Sequence, residues 1–185
     1  MIESESTDTS AAPGELEVVR RFVNTYDAEF GTDELSDPAS LSAWLAGAGL
    51  SEGFDATPGD LERVRSVREA LRSLLFANNG SDTEPGADEE LNRALAGSSL
   101  EVRFEDGQAV LEPKGSGVDL ALARIGTIVR EAMLAGTWER LKACPADDCE
   151  WAFYDRSRNH SRTWCKMGVC GNRSKVRAFR ERRSG

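Results

Sequence analysis

Apolar residues recur at helical spacing in several stretches of the chain. From Glu15 to Phe30 they fall three or four positions apart, which predicts an amphipathic helix. Two further helices are expected after Asp37-Pro38 and Thr57-Pro58, because each dipeptide places an N-cap side chain before a proline at the first helical position. The same periodicity returns at Asp88–Ala96 and at Val118–Leu134. The pattern therefore predicts a mainly helical protein.

Between residues 100 and 113 apolar residues recur at every second position, which is the spacing of a β-strand. Leu100, Val102 and Phe104 alternate with polar residues, and a looser alternation follows Asp106-Gly107, a dipeptide typical of two-residue hairpin turns. We expect one β-hairpin within a helical body of residues 14–138, which is long enough to bury its own core and fold alone. Residues 1–13 are almost entirely polar and predict a disordered leader.

The four cysteines of the chain form two pairs with the same spacing. Four residues separate Cys144 from Cys149 and Cys165 from Cys170, and fifteen residues lie between the pairs. Four thiolates on two short turns are a typical ligand set for one structural Zn²⁺, and the spacer fits a ribbon with a short hairpin between the two turns. The alternative is two disulfides in an oxidising compartment. Because the chain begins without a signal-peptide pattern, we expect a cytoplasmic zinc protein.

Charge is divided unevenly along the chain. The net charge is −9, but residues 1–139 hold 11 basic and 27 acidic side chains, whereas residues 140–185 hold 12 basic and 5 acidic ones. We call residues 139–185 the finger and residues 14–138 the body. A positive finger on an acidic body predicts an interaction surface at the C-terminal end, and nucleic acid suits such a surface.

The basic residues of the finger are the candidate DNA contacts. A helix is predicted after Cys170, with Val176 and Phe179 packed against the zinc ribbon. An alternative role for Arg173 is to brace the fold through Asp155. The predicted contacts are Arg156, Arg158 and Arg162 to phosphates, and Arg173, Lys175, Arg177 and Arg180 from the helix.

Resemblances to two known families together cover nearly the whole chain after about residue 14. Residues 151–175 resemble the CGNR zinc finger, a family named after the tetrapeptide found here at residues 170–173. The upstream part is similar to the ABATE domain, which usually precedes this finger, in the stretches Arg21-Phe-Val-Asn-Thr25, Leu71-Arg-Ser-Leu-Leu-Phe-Ala-Asn-Asn79 and Thr137-Trp-Glu-Arg-Leu-Lys142. The resemblance implies a bacterial transcription regulator that binds DNA and holds its metal through four cysteines.

Two classes of function remain open, and a third is not expected. The first is a DNA-binding transcription regulator. The second is an RNA-binding or protein-binding zinc ribbon, in which Tyr154 and Trp164 stack on bases, although packing over the zinc turns is the stronger prediction for both rings. An enzyme is not expected, because the sequence has no P-loop, no nucleophile-elbow motif and one histidine, His160, which we place on the surface. No apolar run approaches the length of a membrane span.

The body is expected to receive a signal. A small-molecule effector or a homodimer contact is predicted near Asn24, Thr25 and Asn78. The alternative for Asn24 and Thr25 is hydrogen bonding at a helix end or between helices. The predicted architecture is thus a mainly α body with one β-hairpin, followed by a small four-cysteine zinc ribbon and a basic helix.

Overall fold

The computed structural model describes residues 10–82 and 84–176. It confirms a mainly helical chain with small antiparallel sheets and a C-terminal cysteine cluster. A short 3₁₀ turn lies at Trp138–Arg140, a π turn spans Met167–Gly171, and helical backbone continues through residues 172–176. The other elements, in order, are α1 (Leu16–Val23), β1 (Tyr26–Asp27), β2 (Thr32–Asp33), α2 (Pro38–Gly47), α3 (Pro58–Ala77), α4 (Ala87–Leu95), β3 (Ser99–Glu105), β4 (Gln108–Lys114), α5 (Gly117–Leu134), β5 (Leu141–Ala143) and β6 (Ala152–Tyr154).

The two predicted proline-led helix starts are confirmed in detail. The Asp37 carboxylate accepts from the Ser40 backbone N–H at 2.8 Å, and Ser40 Oγ accepts from the Asp37 N–H at 3.0 Å. Thr57 and Asp60 exchange the same two bonds at the start of α3. Each reciprocal cap satisfies two backbone donors that the helix itself leaves free, and a cap of this kind stabilises a helix by about 1 kcal/mol.

The first helix is shorter than its apolar pattern suggests. It ends at Val23 rather than near Phe30, and Tyr26–Asp27 pairs instead with Thr32–Asp33 as a two-residue ladder. The cause is tertiary, because the Asn24 side chain is drawn into hydrogen bonds with Ala152, far along the chain. The expectation of one helix through residue 30 is therefore wrong.

The predicted hairpin is present as β3 and β4. Its strands pair antiparallel from Ser99 opposite Lys114 to Glu105 opposite Gln108. Asp106 and Gly107 both have positive φ, at 49° and 80°, as a two-residue type I′ turn requires.

One apolar core joins the body to the first part of the finger. Phe22, Leu45, Leu75 and Leu122 from four helices are fully buried in it. Leu141, Ala143, Ala152 and Tyr154 of β5 and β6 belong to the same core. The core of the body therefore extends into the first part of the finger, and independent folding of the body stays a prediction.

Order extends further toward the N-terminus than the sequence suggests. Ser10 and Ala12 are buried, the Ser10 carbonyl accepts from the Tyr154 N–H at 2.9 Å, and the Ala12 N–H donates to Glu17 at 2.7 Å. Residues 10–13 are thus part of the fold, whereas residues 1–9 of the predicted leader lie outside the described residues. Across the described chain, no helix combines the length and apolarity needed to cross a bilayer.

Candidate metal centre and basic surface

The four cysteines converge on one point. Their side chains are buried, and the four Sγ atoms lie within 4.8 Å of one another. Two Sγ separations are 3.5 Å, between Cys149 and Cys165, and 3.6 Å, between Cys165 and Cys170. Zinc–sulfur bonds of about 2.3 Å at tetrahedral angles place sulfurs about 3.8 Å apart, so the cluster fits one zinc ion. All four thiols are free of disulfides.

The electrostatics of the cluster call for a cation. Hydrogen bonds from Cys149 and Cys165 lower the pKa of Cys144 to about 2, so one thiolate is stable. The same contacts raise the pKa of Cys149 to about 12 and raise that of Cys165, because a second thiolate would lie beside the first. A divalent cation removes this conflict. The residues form a single structural zinc site, with four thiolates and no open coordination position.

A hairpin carries the first cysteine pair. Strands β5 and β6 pair antiparallel, with Cys144 directly after β5 and Cys149 just before β6. The Cys144 N–H donates to the Trp151 carbonyl at 3.0 Å, which closes the turn. The predicted strand at residues 151–154 is confirmed, but its partner precedes the first cysteine. The expectation of a hairpin inside the fifteen-residue spacer is therefore wrong.

The tetrapeptide Cys170-Gly-Asn-Arg173 closes the second turn, and each residue has a separate structural role. Cys170 supplies a sulfur to the cluster. A Cβ at Gly171 would crowd Met167 Sδ and lie 3.2 Å from Trp164 Cδ1, so a side chain there would force these neighbours to shift. Asn172 Nδ2 donates to the Gly168 carbonyl at 3.0 Å. Arg173 Nη1 donates to Asp148 Oδ2 at 2.8 Å and so ties the second turn to the first.

Two family profiles match the chain, and together they span most of it. The CGNR zinc finger matches residues 140–183. The ABATE family, described as "Putative stress-induced transcription regulator", matches residues 16–138. The chain belongs to the ABATE family. A search of curated proteins returns no match.

Arg173 of this ABATE protein points into its own fold. Besides Asp148, its guanidinium contacts Glu29 at 3.3 Å. The bracing role considered from the sequence is thus present, but with Asp148 and Glu29 in place of Asp155. The sequence signal for this partner was available, since Asp148 is one of two acids between the first cysteines of an otherwise basic segment.

Asp155 instead forms a buried pair with Lys142, which the sequence analysis did not identify. Lys142 Nζ lies 2.8 Å from Asp155 Oδ2, and the Asp155 residue is 0% exposed. Burial alone would raise the pKa of Asp155, but hydrogen bonds from Lys142 and Ser157 outweigh it and lower the pKa to about 2. Lys142 Nζ also donates to the His160 carbonyl at 2.7 Å. The pair therefore anchors both ends of the loop between β6 and the second cysteine pair.

The other predicted DNA contacts divide into inward and outward groups. Arg162 donates to the Trp164 carbonyl at 3.0 Å and to Cys165, and its guanidinium lies 4.8 Å from the centre of the Phe153 ring. Arg156 donates to the Ala11 carbonyl at 3.0 Å but is exposed. Arg158 and Lys175 are exposed and form no ion pair within the described ranges. Lys166, which the sequence did not predict as a contact, is also exposed and forms no ion pair there.

The structure describes only the first part of the predicted basic helix, through residue 176. Arg177, Arg180 and Phe179 lie outside the described residues. Val176 is 50% exposed, so it does not pack against the ribbon as its spacing suggests.

The residues proposed for effector binding lie at the junction between body and finger. Asn24 donates to the Ala152 carbonyl at 2.9 Å and accepts from its N–H at 2.7 Å. Asn78 Nδ2 donates to the carbonyls of Trp138 and Leu141, at 3.0 and 2.9 Å. Thr25 is buried, and its hydroxyl donates to the Phe22 carbonyl at 2.8 Å. Asn24 and Asn78 therefore bridge the body and the finger, and Thr25 forms a helix-end hydrogen bond, which is its alternative role.

Proposed function

We propose that this ABATE protein is a zinc-containing transcription regulator whose finger binds DNA and whose body receives a small-molecule signal. The family description supports a regulatory role. The observation that carries DNA binding is the exposed basic surface that the zinc-fixed finger presents, beside a body of opposite charge. The proposed role involves binding rather than catalysis.

Charge favours approach through the finger. Residues 140–185 hold 12 basic and 5 acidic side chains, so the segment stays positive after four thiolates bind one zinc ion. Residues 1–139 hold 27 acidic and 11 basic side chains and would be repelled by phosphates. The proposed contacts are Arg156, Arg158, Lys166 and Lys175, together with the sequence-predicted Arg177 and Arg180.

The loop that carries Arg156 and Arg158 is held in place before any partner binds. Asp155 accepts from the Ser157 N–H at 2.8 Å and from the Arg162 N–H at 3.0 Å. Because these bonds fix the loop backbone, less entropy is lost when its side chains meet a phosphate backbone.

The placement of the aromatic rings favours duplex DNA over single-stranded RNA. Tyr154 is 6% exposed within the shared core, and Trp164 packs against the cysteine cluster. Neither ring is open as a stacking platform of the kind that RNA-binding modules use.

An open cavity between α3, α4 and α5 is the proposed effector site, in place of the junction residues. Its volume is about 370 Å³, within the range of small-molecule sites. Leu71, Leu91 and Val129 are among its apolar lining, and Asp88 and Arg130 are charged members. We propose an apolar ligand with one or two polar groups.

DNA binding is tested by fluorescence anisotropy with a duplex of random sequence. With about five phosphates neutralised, the log–log slope of affinity against salt is expected to be about −4 to −5. Arg158→Glu with Lys175→Glu should weaken binding and reduce the slope. Arg21→Glu, an exposed change on α1 of the body, is the matched control and should have little effect. If the double variant keeps its zinc, its affinity and its salt slope, this surface does not bind DNA.

The effector site is tested by a thermal-shift screen with small apolar acids and amines. Gly126 lines the cavity, and a Cβ built on it meets only Leu95 within 4 Å, at 3.8 Å or more. Gly126→Leu should therefore fill the cavity and abolish the shift produced by each hit. Gly47→Leu, another helical glycine with open space around it, should preserve the shift. Hits that survive Gly126→Leu bind elsewhere and contradict the assignment.

A further inference from the structure

The hairpin formed by β3 and β4 exposes an apolar face. Leu100, Val102 and Phe104 alternate along β3 and share one face of the sheet, yet they are 49%, 59% and 77% exposed. Their cross-strand neighbours Pro113, Leu111 and Ala109 continue the same apolar face. A contiguous exposed apolar surface of this kind is typical of a protein interface.

The β3 strand also has a free edge with a defined set of backbone groups. The two-residue turn makes Glu105 and Gln108 the closing hydrogen-bonded pair. Bonding to β4 then alternates, so the N–H and C=O groups of Leu100, Val102 and Phe104 point away from β4. In the described parts of the chain, no strand pairs with β3 on that side. The outer edge of β4 is less suited to pairing, because Pro113 has no N–H.

We propose that β3 pairs antiparallel with β3 of a second copy of this chain, around a two-fold axis at Val102. In this register Val102 faces its own equivalent, and Leu100 faces Phe104 of the partner subunit. All three residues have outward backbone groups, so every pair can exchange both of its hydrogen bonds. The two hairpins become one four-stranded sheet with a continuous apolar face.

Charge on the opposite face selects this register. Glu101 lies opposite Arg103 of the partner subunit, and the symmetry repeats this ion pair. A shift of two residues in one direction would place Glu101 opposite Glu101 of the partner subunit. A shift of two residues in the other direction would place Arg103 opposite Arg103 of the partner subunit, and like charges repel in both cases. A shift of one residue would oppose outward and inward backbone groups and lose the hydrogen bonds. Among the registers that pair its full length, the strand Ser99–Glu105 is therefore complementary to itself in one alignment.

A second copy is the occupant that this strand fits, because the complementarity lies within one sequence. Isologous pairing about a two-fold axis is the commonest form of protein oligomer. A sheet of four strands with an apolar face is also more stable than a sheet of two. This inference concerns the body and does not depend on DNA binding.

The test is a measurement of mass by sedimentation velocity on the full-length, zinc-loaded chain. The wild type should be a dimer. Glu101→Arg places two arginines opposite each other, and Arg103→Glu places two glutamates opposite each other. Each single variant should weaken the dimer by about tenfold or more.

A mixture of the two single variants provides the decisive comparison. The Glu101→Arg chain carries arginine at positions 101 and 103, and the Arg103→Glu chain carries glutamate at both positions. Opposite charges then face each other in a mixed pair, so a heterodimer should form where neither variant dimerises alone. The control is Glu112→Gln, which removes the negative charge of the group that accepts a bond from Arg103 within the hairpin, at 3.0 Å, and should leave the dimer intact. A monomeric wild type, or single variants that dimerise as well as the wild type, would overturn the proposal.

Discussion

The body and the finger are stabilised by different interactions. In the body, four helices bury large aliphatic and aromatic side chains such as Phe22, Leu41 and Ile125. The finger's own buried cluster consists of four cysteines with Ala146 and Phe153. A segment this short buries too little apolar surface to fold by packing alone. Its structure depends on metal ligands and on buried polar pairs, so its geometry is more easily lost by a single change.

The largest expected effect is the loss of zinc. Cys165→Ser removes one ligand, and the metal contributes about 10 kcal/mol or more to the folding of a module of this kind. We expect zinc content to fall and the finger to unfold, while the helices persist and melt at a lower temperature because Tyr154 no longer fills the shared core. Metal analysis and circular dichroism measure the two effects.

The control for this experiment is His160→Asn. His160 has a positive φ of 52°, which asparagine tolerates, and it is not among the residues of the cysteine cluster. The variant should keep one zinc per chain. Loss of zinc from this control, or its retention in Cys165→Ser, would contradict the four-thiolate site.

The next largest effect concerns the buried pair of Lys142 and Asp155. Asp155→Asn leaves the Lys142 ammonium buried without its counter-charge and should lower the free energy of unfolding by about 3–5 kcal/mol. Urea denaturation in the presence of zinc measures the change. The double variant Lys142→Met with Asp155→Leu removes both charges and should recover part of the stability. A single variant as stable as the wild type would show that the pair does not hold the loop.

A smaller effect is expected at the junction between body and finger. Asn24→Ala leaves the buried N–H and C=O of Ala152 without partners, which should cost about 1–3 kcal/mol. Asn92→Ala, an exposed amide on α4, is the matched control and should change stability by less than about 0.5 kcal/mol. Equal losses in the two variants would mean that Asn24 does not join the two regions.

The smallest effect on stability is expected at Gly171, and Gly168 in the same turn provides the comparison. Gly171→Ala brings a Cβ to 3.2 Å from the Trp164 ring and should cost about 1 kcal/mol. Gly168→Ala meets nothing within 4 Å and should be neutral or slightly stabilising. Thermal unfolding of both zinc-loaded variants measures the difference, and identical melting temperatures would remove the packing role assigned to Gly171.

Local signals explain which parts of the structure could be predicted. The starts of α2 and α3 follow from caps whose partners lie three residues away, and the zinc ligands follow from regular cysteine spacing. The end of α1 could not be predicted, because Asn24 bonds to a residue 128 positions later. The distribution of charge along the chain predicted a basic surface, but not which basic side chains point into solvent and which point into the fold. Arg162 and Arg173 turn inward because their acceptors, at Cys165 and Asp148, are brought close only by the folded zinc turns.

The hydrogen bonds between Asn24 and Ala152 have a consequence for synthesis of the protein. A ribosome completes α1 long before it completes β6, and Ala152, which bonds to the Asn24 side chain at the end of α1, is made 128 residues after Asn24. Contacts between distant parts of a chain form slowly, because a long loop must close before they add stability. The helices should therefore remain loosely associated on the ribosome until β6 has emerged and bonded to Asn24.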